Sequence, residues 1–155
     1  MVVNKAIQYK FIGLMSFIFL LSSGQILAED SPIYTAIFSD KAVSGYDTVA
    51  YFTENKPVKG KKKYSYSYMD AKWYFKNQEN LDMFKASPTK YAPQYGGYCA
   101  WSVAQGNNAS GDPKQWTIVN DKLYLNYDKE IKERWLEKRD ALIIDADKNW
   151  PAVLK

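Results

Sequence analysis

The 155-residue sequence contains no histidine and a single cysteine, Cys99. The first absence removes every relay in which imidazole activates a serine or a thiol, every histidine-held zinc or copper, and the commonest general base near neutral pH. The second removes any internal disulfide, so packing must hold the fold. No Walker-type phosphate loop, dinucleotide glycine fingerprint or calcium loop occurs. Residues 1–28 read as a secretory signal, with Lys5 and Lys10 ahead of an uncharged apolar run, FIGLMSFIFLL, at 11–21. The run falls short of the roughly 20 residues that cross a bilayer, and no cysteine follows it to carry a lipid. Cleavage after Ala28 leaves Ile26 where a small residue is preferred, while cleavage after Gly24 places Ser22 there; an uncleaved anchor is the alternative. Cleavage removes two lysines and no acid, so 21 basic residues become 19 against 17 acidic ones and the net charge falls from +4 to +2. A nucleic-acid partner then loses its electrostatic footing. The mature chain is expected to be exported, periplasmic or secreted, with no stable membrane span.

Aromatic residues are abundant, with 13 Tyr, 7 Phe and 5 Trp. Their hydroxyls and indole N–H groups need partners when buried. They are densest at 91–101, YAPQYGGYCAW, together with a Gly-Gly pair, a proline and the cysteine. Adjacent glycines permit φ > 0 and close approach of another backbone. This stretch reads as a buried corner or the floor of a pocket. Tyr91, Tyr95, Gly96, Gly97, Tyr98 and Trp101 are the candidate residues for binding a ligand or a partner protein. The competing reading is that the same rings fill the core between sheet and helix. Cys99 has three readings: a small buried hydrophobe, a soft-metal ligand for monovalent copper aided by Met69 or Met83, or a redox thiol with a lowered pKa. Asp47, Asp70, Asp112 and Asp121 stand at turn-like positions that suit local hydrogen bonding.

Residues 29–41 form a lead-in. Residues 45–52, GYDTVAYF, have the aromatic and β-branched content of a strand and end at the turn-like ENKP. KGKKK at 59–63 is a solvated basic loop, with contact to an anionic surface as the alternative. Tyr64, Tyr66 and Tyr68 alternate with serines on a sheet face that neighbouring elements cover, with a binding surface as the alternative; Met69, Asp70 and Ala71 make a turn, and 72–76 return as the second strand of a hairpin. Asn77 caps a short helix over 78–86 that turns Leu81 and Phe84 inward and closes at Pro88. An exposed loop follows at 105–113. Residues 116–119 and 122–125 flank Asn120 and Asp121 as a second hairpin. From Asp128 the period becomes helical, with Ile131, Trp135, Leu142 and Ala146 on one face and Pro151 as the stop. The expected fold is α+β over residues 42–151, with 152–155 as a tail. It comprises a small antiparallel sheet built from two hairpins, one short helix and a long amphipathic C-terminal helix.

The succession Asp47-Thr-Val, Trp73-Tyr-Phe, Phe84-Lys-Ala-Ser-Pro-Thr-Lys-Tyr91, GGYCAW and TIVNDKLYLNY resembles the YHS domain family, in particular its exported single-domain members, over residues 42–150. Other members of the wider family accompany copper-transporting ATPases and multicomponent hydroxylases, and the resemblance implies metal handling through cysteines. Where metal-type members carry those cysteines this chain has Ala50 and Lys76, and its following helix carries Leu81. The expected function is a non-catalytic module that binds a small ligand or a partner protein. The alternatives are copper-type handling through Cys99 and, third, a thiol redox protein.

Overall fold

The computed structural model describes residues 29–155, and the signal reading at 1–28 lies outside them. Both hairpins form where two successive residues accept a left-handed backbone. Met69 and Asp70, with φ of 50° and 58°, join β1 (Lys61–Tyr68) to β2 (Ala71–Phe75). Asn120 and Asp121, again at 50° and 58°, join β3 (Asp112–Val119) to β4 (Lys122–Asn126). Paired positive φ values give the turn whose twist matches that of the strands. Ala71 pairs with Tyr68, so the first turn has two residues rather than three.

The hairpins make two separate two-stranded sheets, not the single sheet expected. The edges of β2 and β4 carry single bridges from irregular segments, Lys41 against Lys72 and Cys99 against Leu125. The stretch expected as a strand at 45–52 is instead largely helix α1 (Thr48–Glu54). Its start is fixed by Asp47, whose carboxylate accepts the N–H groups of Val49 and Ala50, and its end by Asn55 in the left-handed conformation. This cap at each end overrides the β-branched content between them.

Asn77 caps α2 (Gln78–Ala86) as expected, and Leu81 and Phe84 are buried. Pro88 does more than close that helix, because it opens a further turn, α3 (Pro88–Tyr91). A proline tolerates the first helical position, where its missing N–H is not needed. The corner Gln94–Gly97 and α4 (Ala100–Ala104) follow. The expected loop at 105–113 is partly ordered by pairing, with Ser110 bridging Tyr98 and Asp112 already opening β3.

Strand β4 is the wall between two cores. Leu123 and Leu125 face a core made with Val49, Tyr51, Trp73, Phe75, Leu81 and Phe84. Tyr124 faces a second core with Tyr95, Tyr98, Val103, Trp135 and Ala146. The alternation of strand side chains therefore feeds both sides.

The closing helix is two helices rather than one, α5 (Lys129–Glu137) and α6 (Arg139–Asn149), broken at Lys138 with φ −130°. No proline or glycine lies between them. The bend lets α5 seat Trp135 against Tyr124 while α6 runs along α4, where the Asn149 side chain donates to the carbonyls of Val103 and Ala104 at 2.9 and 3.2 Å. In the tail at 152–155, Leu154 is buried and its carbonyl accepts the N–H of Asp30 at 2.8 Å. Among the described residues no helix is long and apolar enough to cross a membrane.

Candidate functional site

The corner at 94–97 turns because Tyr95, Gly96 and Gly97 all take positive φ, 57°, 61° and 94°. Glycine does this without strain, whereas a tyrosine must be held there by its surroundings. Tyr95 is held at its far end, where its hydroxyl donates to the Asp147 carboxylate at 2.8 Å and its ring packs 5.8 Å from Trp150. Burial, and then the Asp147 carboxylate, push its phenol well above the usual tyrosine range. At Gly96 the lead-in crosses so closely that a Cβ would lie 1.7 Å from the Pro32 carbonyl oxygen. The Gly96 carbonyl in turn accepts the Tyr34 N–H at 3.0 Å.

This crossing builds an open groove of about 380 Å³. Tyr95, Gly96, Pro32 and Ile33 line one part, while Trp150 and Pro151 from the end of α6 and Tyr68 and Met69 from the tip of the first hairpin line another. Its surface is largely apolar. Such a concavity accepts a flat or unbranched apolar group, and Gln94 and Thr89 on its lining offer hydrogen bonds.

The six binding candidates do not converge on one site. Tyr95 and Gly96 line the groove. Tyr91 packs edge-on against Phe52 in the first core, 5.5 Å between centroids. The Tyr98 ring lies between Tyr34 and Trp150, and its hydroxyl donates to the Ser31 carbonyl at 2.8 Å beside a second, more polar depression. Gly97 serves the backbone, its carbonyl accepting the Gly111 N–H at 3.1 Å. Trp101 borders a third, smaller depression of about 230 Å³ together with Cys99.

The groove contains residues that sequence reasoning missed. Trp150-Pro151, an aromatic residue beside a proline at a helix end, is a visible signal; Met69 at the hairpin tip gives none, because only the fold brings it across, whereas Tyr68 beside it is one of the three tyrosines offered as a binding face.

Cys99 is 1% exposed. Its sulfur faces the Asn126 side-chain oxygen at 3.8 Å, and burial raises the thiol above its ordinary pKa. The depression beside it is lined by Trp101, Ser102, Ala109, Tyr127 and Ile131, with neither Met69 nor Met83 among them. Met69 stands on the hairpin tip and Met83 packs at the first core.

The copper-type centre that the family resemblance implies finds no fitting donor set. Of Ala50, Lys76 and Leu81, which stand where the resemblance implies cysteines, the first two donate their N–H groups to the Asp47 carboxylate at 3.3 and 2.8 Å, and Asn80, next to Leu81, donates its side-chain amide at 2.7 Å. The Lys76 ammonium pairs with Glu54. Asp47 is thus occupied by N–H donors, and among the described residues no soft ligand bonds to it. Among the described residues no three of His, Cys, Asp and Glu assemble as a metal-holding group.

Comparison with known proteins matches residues 49–95 to the YHS domain. No curated protein and no solved structure matches the chain. The matched segment runs from α1 through the first hairpin, α2 and α3 to Tyr95, so the similarity to the YHS domain covers that part of the chain.

Proposed function

We propose that this protein is a non-catalytic binding module that takes a small ligand with a flat apolar face, or a short segment of a partner protein, in the groove at Tyr95 and Gly96. The observation that carries this reading is the convergence of the lead-in, the corner, the hairpin tip and the end of α6 on one open apolar groove. Segments so far apart in sequence hold the groove through the fold rather than through a mobile loop, which lowers the ordering cost of binding. Trp150 and Tyr68 offer ring surface, and Gln94 and Thr89 can fix orientation.

The test is an amide-resolved NMR titration of the protein with a panel of flat aromatic fragments and short proline-rich peptides. Binding partners should move the signals of Met69, Tyr95 and Gly96 together, and Trp150→Ala should weaken them by about tenfold. A panel that perturbs only the surroundings of Cys99 and Trp101, or a ligand that is chemically converted, would overturn the reading.

A further inference from the structure

Residues 36–39 form a tight turn, closed by the Ser39 N–H on the Ala36 carbonyl at 2.9 Å. At its tip Ile37 and Phe38 stand 85% and 106% exposed, the barest large apolar side chains among the described residues. Phe38 also holds φ at 62°, uncommon for a bulky residue. The turn is firmly rooted: Thr35 bridges Ala42, and the Lys72 N–H and carbonyl bond to the Asp40 carbonyl and the Ala42 N–H at 2.6 and 3.0 Å. A rigid stem thus presents two apolar side chains to solvent, with no core beneath them.

Positive charge surrounds its root. Lys41 follows the tip, its ammonium 5.9 Å over the Tyr74 ring. The Lys59 ammonium donates to the Ser44 carbonyl at 3.0 Å and sits 3.9 Å over the Tyr46 ring. Burial first, then the charges of Lys41 and Lys114, hold Lys59 below the usual lysine range. Lys61, Lys62 and Lys63 extend the run along the exposed start of β1. Among the described residues none of these six forms an ion pair, whereas neighbouring Lys72 and Lys76 are matched by Asp40 and Glu54. The acids nearby are already engaged: Asp40 pairs with Lys72, and an Asp112 oxygen accepts the Lys114 N–H at 2.8 Å.

We propose that the tip at Ile37 and Phe38 and this lysine rim form a peripheral docking surface for an anionic lipid bilayer, the apolar pair entering the acyl boundary while the ammonium groups meet headgroup phosphates. Apolar insertion and headgroup attraction reinforce each other in such surfaces, and long lysine stems let the charge reach the headgroups. A nucleic acid would use the lysines alone and leave Ile37 and Phe38 without a role. The surface shares no residue with the groove, so it stands independently of the binding reading above.

Flotation of the full chain with vesicles of equimolar phosphatidylcholine and phosphatidylglycerol, against phosphatidylcholine alone, tests the proposal. Residues 1–28 are common to every variant, so the readout is the difference between variants. Both Ile37→Ser/Phe38→Ser and Lys61→Ala/Lys62→Ala/Lys63→Ala should raise the anionic lipid needed for half-binding by about tenfold or more, with the melting midpoint unchanged. Raising salt from about 0.05 to about 0.5 M should weaken binding further. Equal flotation of all three proteins would overturn the proposal. So would a loss confined to the lysine variant that is matched by an equal loss on a duplex DNA of about 20 base pairs, which would mark a general polyanion surface.

Discussion

Asp47 accepts the side-chain amide of Asn80 at 2.7 Å across 33 positions of sequence, with both residues buried. The same carboxylate takes the N–H groups of Val49 and Ala50 at the start of α1, and of Lys76 after β2. One side chain therefore ties α1, the end of the first hairpin and α2 into a single unit. That unit gathers the N–H groups of Ala50 and Lys76, two positions where the sequence resemblance implies cysteines.

Asp47→Ala would leave four buried or half-buried donors without an acceptor. Each orphaned donor costs about 1–3 kcal/mol, partly recovered by relaxation, so a loss of at least about 3 kcal/mol is expected. Urea denaturation measures it, and a loss below about 1 kcal/mol would show that water replaces the carboxylate.

The reach of the sequence can be seen at particular residues. The second hairpin turn, the place though not the length of the first, the Asn77 and Asp128 caps and the inward faces of Leu81, Phe84 and Trp135 are legible because each rests on residues within one turn of each other. The helix at α1 is masked by its β-branched and aromatic content, although Asp47 and Asn55 bracket it as caps. The break at Lys138 had no local signal and follows from two surfaces, at β4 and at α4, that lie in different directions. Of the site, Tyr95 and Gly96 were legible from composition, but Met69 and Pro32 reach the groove only through long-range packing.

The two glycines of the corner are expected to respond differently. Gly97→Ala meets only ordinary contacts, the nearest atom being 3.7 Å away, so left-handed strain of about 1–2 kcal/mol is its whole effect. Gly96→Ala adds a clash with the Pro32 backbone and should cost about 1–3 kcal/mol more while loosening the lead-in. Melting midpoints of the two variants decide it, and equal losses would contradict the crossing at Pro32.

Stability should fall at alkaline pH. Burial raises the phenols of Tyr51 and Tyr95 and the thiol of Cys99, so the folded state keeps protons that the unfolded chain releases above about 10 for tyrosine and about 8.5 for cysteine. A raised folded pKa means the contribution is whole below the unfolded value and is lost as pH climbs past it, at up to roughly 1.4 kcal/mol per pH unit for each group. Urea midpoints at neutral pH and at about pH 10.5 measure this, and an unchanged midpoint would mean that these groups ionise freely in the native state.

The central claim is that the position of this chain's one thiol is given to packing rather than to soft-metal chemistry. The most direct test is the rate at which a thiol reagent modifies Cys99 in the native protein, with and without monovalent copper. The account predicts no reaction until denaturant opens the fold, and no effect of copper on the native rate. Rapid native modification that copper blocks would contradict it and place a metal site at Cys99.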